Sequence, residues 1–150
     1  MSGFPNDQQL PTNHNMADSF QLEIVTPEKM VVRDQAEEMQ IPGKDGYLGI
    51  LPGHAPLITE LAVGEITYRK DNYTHHLAVA WGFAEVLPDK VTILAETAER
   101  AEDIDARRAQ EAKQRAESNL ASCNTEEEFK LTAGDLKRAD TRLEVAARKK

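Results

Sequence analysis

The apolar residues of this chain change their period near residue 100, and that change sets what the chain can fold into. From Ser19 onward they alternate with polar ones. "SFQLEIV" places Phe20, Leu22 and Ile24 on one face, the pattern of a half-buried strand. "KMVVRD" follows Pro27, and in "AEEMQIPG" Met39 and Ile41 alternate with polar neighbours. Asp45-Gly46 opens "KDGYLGIL" with a tight-turn signal. "LPGHAPL" carries two prolines and a glycine and reads as a loop with fixed φ angles. "VGEITYRK" and "YTHHLAVAW" flank Asp71-Asn72 as a hairpin, and "GFAEVL" and "KVTILAE" flank Pro88-Asp89 as another. Short strands with turn signals about 8–12 residues apart imply a sandwich or barrel.

Beyond Arg100 the period becomes helical. Asp103 is the expected N-cap, and Ala109, Ala112, Ala116 and Leu120 recur along one face. "SCNT" breaks the run, Asn124 or Thr125 caps a second helix, and "TEEE" is its capping box. Phe129, Ala133, Leu136, Leu143 and Ala147 line the second face. The expectation is α+β: an all-β domain over 16–100, then an antiparallel two-helix hairpin over 101–150. Residues 1–15, "MSGFPNDQQLPTNHN", are polar and lack the pattern of a signal peptide; they read as a disordered leader, with Met16 as an alternative start.

Charge supports the division. Residues 1–100 hold 7 Lys and Arg against 15 Asp and Glu, while residues 101–150 hold 11 of each. The net charge of −8 argues against duplex nucleic acid as a partner. The single cysteine, Cys123, excludes an internal disulfide and CxxC metal pairs and fits a reducing compartment. No apolar run approaches the ~20 residues of a membrane span. Walker A, GxSxG and HExxH signatures are absent, so no catalytic residue and no metal site is expected. His75 and His76 point to opposite faces of a strand and do not share a metal easily. Trp81, beside Gly82, is expected to pack at a strand end.

The hairpin seam is mostly alanine, which offers helix propensity but little area to bury. Such a pair docks loosely. It is either a movable element or a well-solvated helical tail. Arg108 and Arg115 are two turns apart on one helix, and Arg138 and Arg142 one turn apart on the other. Closing the hairpin about residues 122–125 can bring the two pairs together. Guanidinium forks match phosphate oxygens, and Asp105 can orient Arg108 or meet a ribose hydroxyl. The alternative is a solvated polar face.

"FQLEIVTPE", then "GYLGILPGHAPLIT", then "AERAEDIDARRA" resemble the epsilon subunit of bacterial F-type ATP synthases from about Met16 to the C-terminus. The resemblance implies an N-terminal β-sandwich and a C-terminal two-helix domain. It implies a non-catalytic rotor subunit of the central stalk, which helps couple proton flow to ATP synthesis. The implied partners are the gamma subunit, the c-ring, and the alpha/beta catalytic head when the helices extend to inhibit hydrolysis. The implied place is the cytoplasmic side of the bacterial inner membrane, reached only through the complex. Some of these subunits bind ATP as a regulatory ligand, with no other cofactor, through an I/L-D-x-x-R-A motif. It falls here on Ile104, Asp105, Arg108 and Ala109, with supporting residues at Glu99, Arg115, Arg138 and Arg142. Tyr47 and His54 fall at the implied rotor interface, Tyr47 where some relatives carry an acidic residue. The rival reading is a free-standing nucleotide-sensing adaptor of the same fold.

Overall fold

A computed structural model describes residues 18–149; the expected leader and the alternative start at Met16 lie outside the described residues. Eight strands come first: β1 (Phe20–Val25), β2 (Met30–Ala36), β3 (Glu38–Gly43), β4 (Gly46–Ile50), β5 (Leu57–Leu61), β6 (Gly64–Lys70), β7 (Tyr73–Val86) and β8 (Lys90–Arg100). A 3-10 turn over Ala101–Asp103 leads into helices α1 (Ala106–Ala121) and α2 (Glu126–Ala146). The strands form a β-sandwich, and the two helices follow it.

The alternating residues meet in one core. Phe20, Leu22, Ile24, Ile41, Ile66, Leu77 and Ile93 are each at most 1% exposed. β1 pairs antiparallel with β2 and parallel with β8, so the start of the sandwich lies beside its last strand. Two strands differ from the expectation. Leu57–Leu61 is a strand, although Pro52 and Pro56 mark only the loop before it. The segments "YTHHLAVAW" and "GFAEVL" are one strand, β7, with its break at Trp81 and Gly82 rather than a turn.

That break organises the sandwich. Trp81 and Gly82 have φ of 54° and 124°. Before them β7 pairs with β6, and after them with β5. β8 follows β7 in one register across the kink, with Ala80 opposite Thr97 and Gly82 opposite Ala95. A Cβ at Gly82 would stand 1.9 Å from the Leu94 carbonyl oxygen, so only glycine fits there.

A polar cluster closes one end. The buried Tyr68 hydroxyl donates to Asp34 (3.3 Å), whose other oxygen accepts from Lys70 (2.6 Å), and the Tyr68 and His75 rings stack at 4.6 Å. His76, on the opposite face, pairs with Glu65 (2.8 Å). Burial pushes His75 below its ordinary 6.5. Burial also opposes the charge of Asp34, but Lys70 and the Gln35 N–H outweigh it and hold the carboxyl below 3.8. In both cases the unfolded chain takes up the proton first, so stability is lost on acidification, as pH falls through 6.5 for His75 and below 3.8 for Asp34. The expected outcome is that denaturant unfolding shows a less stable sandwich at about pH 5 than at about pH 7.5, and that His75→Phe, which keeps the stacking, reduces that loss.

Candidate functional site

The hairpin is built from its caps outward. The N-cap of α1 is Asp105, not Asp103, which lies in the 3-10 turn. The Arg108 backbone N–H donates to the Asp105 carboxylate at 3.1 Å. Helix α2 starts at Thr125, whose hydroxyl accepts from the Glu128 N–H (3.1 Å). Glu128 reaches back to the N–H of Asn124, one residue beyond a standard capping box. Ala109 and Ala116 of α1 and Ala139 of α2 are buried at the seam, where small side chains let the helices approach. Lys113 and Asp140 pair across it at 3.0 Å. The expected stripe on α2 is shifted: Phe129 is 51% exposed, while Thr141, Val145 and Ala146 are buried.

Between the helices lies a cavity of about 150 Å³ lined by Ala112, Arg115, Asn119, Asp135, Arg138 and Arg142, with Ala116 and Ala139 at its base. Three of the four expected arginines therefore meet; Arg108, exposed one turn into α1, is outside the lining. Ile104 and Ala109 are buried, at 1% and 0%, and serve packing. The cavity's charge is partly balanced. Arg138 lies 3.6 Å from Asp135, and Arg142 makes a two-point contact with Glu99 at the end of β8, at 2.6 and 3.4 Å. Arg115, exposed at the rim, has no ion-pair partner among the described residues.

The same helix docks on the sandwich. Trp81 turns out of the kink in β7 and lies under α2, with the Arg138 guanidinium 5.7 Å above its ring. A Cβ at Gly134 would stand 3.2 Å from that ring, so glycine permits the close approach. Ile104, Ala101, Ala78, Val145 and Ala146 form a small second core beneath the hinge. Burying a residue such as Ile104 contributes about 1.5–3 kcal/mol. Arg148 contacts Glu65 (3.2 Å), and Lys149 Nζ donates to the Ile104 carbonyl (2.6 Å). None of the tryptophan, glycine and Arg148 contacts is visible in a linear pattern, because each spans more than 50 residues.

Tyr47 and His54 stand toward opposite ends of β4. Tyr47 is 57% exposed, with its hydroxyl accepting from the Glu65 N–H (2.9 Å). His54 is half-buried in a loop anchored by the Gly53 N–H to the Pro88 carbonyl (2.7 Å). Sequence reasoning missed an apolar row on the outer face. Phe83 (52% exposed) faces Leu94 (54%) across β7 and β8, Val25 lies next to Leu94 on β1, and Ile58 (71%) sits diagonally on β5. The signal was an apolar residue at the polar phase of each strand, Phe83 and Leu94 above all.

A sandwich followed by a docked hairpin with an arginine-lined seam defines a two-domain architecture, and comparison with known proteins places it. The beta-sandwich domain of the ATP synthase delta/epsilon chain matches residues 19–101, and the long alpha-helix domain of the same chain matches residues 102–147. The chain belongs to the ATP synthase delta/epsilon-chain family, whose epsilon chains are non-catalytic subunits. It is 70% identical to the ATP synthase epsilon chain of Koribacter versatilis over 74% of this chain and 78% of that one. It is 45% identical to that of Geotalea uraniireducens over 89% and 97%. In fold it resembles a chain of the Euglena gracilis mitochondrial ATP synthase (OSCP/F1/c-ring), with a TM-score of 0.74, 21% identity and coverage of 87% and 82%. Among the described residues no helix is long and apolar enough to cross a membrane.

The capping role of Asp105 is separable from any ligand. Asp105→Ala is expected to cost about 1 kcal/mol of α1 stability in the ligand-free protein, read as faster amide exchange over the first turn of α1. An unchanged exchange rate there would leave Asp105 without a capping role.

Proposed function

We propose that this chain is a rotor subunit of the central stalk of a bacterial proton-translocating ATP synthase, peripheral on the cytoplasmic side of the plasma membrane, with a hairpin that senses ATP. Its sandwich holds the gamma subunit and the c-ring. Its hairpin, when lifted, reaches the alpha/beta head and restrains hydrolysis. The single observation that carries the sensing role is the cavity where Arg115, Arg138 and Arg142 converge between alanine-lined helices. At about 150 Å³ it is smaller than the roughly 300–1,000 Å³ of sites that enclose a drug-sized ligand, so it suits a phosphate end, with ribose and base outside. Docking by a small apolar cluster and partly exposed polar ties favours a helix pair that can leave the sandwich without unfolding it.

ATP can favour the docked hairpin only by binding it more tightly than the lifted one. A charge-assisted contact contributes about 1.5–3 kcal/mol, and about 1.4 kcal/mol is tenfold in affinity. Calorimetry on the whole chain is expected to show ATP binding weakened about tenfold or more by Arg115→Ala or Arg142→Ala, and less by Arg108→Ala, which is outside the lining. In the assembled synthase the first two changes are expected to prolong inhibition to higher ATP. Unchanged affinity in both would reduce the arginines to a solvated face.

The apolar row supports the gamma contact. Phe83, Leu94, Val25 and Ile58 are flanked on the same face by Glu23, Glu60, Glu85 and Glu96, which suits a partner with an apolar ridge edged by basic residues. Phe83→Glu is expected to abolish recovery of gamma in a pull-down while leaving the sandwich folded, because its side chain adds nothing to the core. Full recovery of gamma would place that contact elsewhere.

A further inference from the structure

We infer that Glu65, His76 and Arg148 form a proton-sensitive latch: a charge gained by His76 frees the C-terminal end of the hairpin from the sandwich. Such a latch needs only the docked hairpin, with neither a nucleotide nor a partner chain. Glu65 stands on β6 with its side chain 19% exposed. Its Oε2 accepts from His76 Nδ1 at 2.8 Å and from Arg148 Nε at 3.2 Å, and its Oε1 accepts from Arg148 Nη2 at 3.3 Å. Two neighbours thus share one carboxylate, and both reach the same oxygen. They belong to different parts of the molecule. His76 is on β7, diagonal to Glu65 across the β6–β7 ladder, whereas Arg148 follows the end of α2. Ala78, opposite Glu65 on that ladder, packs with Val145 and Ala146, so the latch borders the patch on which the hairpin rests.

An ionised carboxylate only accepts hydrogen bonds, so the neutral imidazole of His76 carries its proton on Nδ1. The next proton therefore enters at Nε2. It leaves the 2.8 Å bond intact and sets a second positive charge beside Arg148. One negative charge then faces two positive ones, and partly buried charges are screened less than exposed ones. His76 is held in place, because β7 is paired on both sides, with β6 and with β8. Arg148 is not: its side chain is 49% exposed and can turn into water. A lifted hairpin takes Arg148 away and leaves Glu65 to His76 alone. Arg148 thus opposes the uptake of that proton only in the docked state. By linkage, docking is favoured on the alkaline side of the histidine range, between about pH 5 and 8, and is weakened as pH falls through it.

The surrounding groups leave this sign in place. Glu144 of α2 also faces Arg148 and moves with it. Lys149 is held by the Ile104 carbonyl, and Glu99 on β8 pairs with Arg142. From β4 the Tyr47 hydroxyl, uncharged, accepts from the Glu65 N–H. His75 points to the opposite face and stacks on Tyr68, where Asp34, Arg100, Glu102 and Lys70 act on it. A charged His76 could instead tighten the whole group, since the carboxylate has two oxygens. Acid would then strengthen docking. The shared Oε2 favours release, and the two readings have opposite signs.

The test uses the full-length chain and acrylamide quenching of Trp81, its only tryptophan, which α2 covers in the docked state. Wild type is expected to show about two- to fivefold more of the lifted form at about pH 5.5 than at about pH 7.5, the size set by partly exposed ion pairs. His76→Gln keeps an N–H donor for Glu65 but takes up no charge, and is expected to lose that rise. Arg148→Ala is expected to start with more of the lifted form at about pH 7.5 and to respond to acid alike with and without His76→Gln. Histidine NMR titration reads the same linkage from the other side: Arg148→Ala is expected to let His76 take up its proton at a higher pH than in wild type. An equal rise in wild type and His76→Gln would assign the response to other groups, His75 among them, and overturn the latch. So would the absence of a rise in wild type, tighter docking at about pH 5.5, or a His76 titration indifferent to Arg148.

Discussion

The kink at Trp81–Gly82 is the constraint on which both halves of the molecule depend. A 14-residue strand cannot serve two layers unless it changes direction, and positive φ at two successive residues makes that change within one step. The first half of β7 then pairs with β6 and the second with β5, which closes the sandwich around one core. A bulky residue at positive φ is strained, and strain persists only where the surroundings impose it. Here α2 lies over the half-buried indole, with Gly134 making room and Arg138 lying above the ring. The device that closes the β domain thus also presents the surface on which the helices rest.

Burial is divided unequally between the two tasks. The sandwich has a continuous core of Phe, Ile, Leu, Val and Tyr from all its strands but β5's exposed end, whereas the hinge cluster under the hairpin has Ile104 and Val145 as its only large members. Hydrophobic stabilisation follows area removed from water, so the sandwich holds together without the hairpin far better than the hairpin holds to the sandwich. The remaining ties, Arg142–Glu99, Arg148–Glu65 and Lys149 to the Ile104 carbonyl, are polar and partly exposed. Such contacts give a specific resting place more than a deep energy well.

Alanine at the seam links packing to chemistry. Ala109, Ala112, Ala116 and Ala139 bring the helices close enough to leave a cavity small in volume and dense in guanidinium groups. Larger seam residues would strengthen the hairpin and fill that space. The membership of the delta/epsilon-chain family accounts for the order of the two domains, and the geometry of this chain shows which of its arginines line one cavity.

The sequence by itself determined most of the architecture. Period-two alternation marked seven of the eight strands, the change at Arg100 marked the hairpin, and the alanine seam and paired arginines marked where the helices meet. These are local signals, set by side-chain direction every two or 3.6 residues. Strand β5 was hidden because its polar and apolar residues follow a proline-rich loop without a turn signal of their own. The unity of β7 was hidden because glycine after tryptophan reads equally as a turn or a kink. Only the tertiary structure decided that Asp105, not Asp103, caps α1, that Arg108 stands apart from the other arginines, and that Glu99 holds Arg142. Those outcomes depend on how two helices and a sheet approach one another, a matter of contacts up to 83 residues apart that no local period encodes.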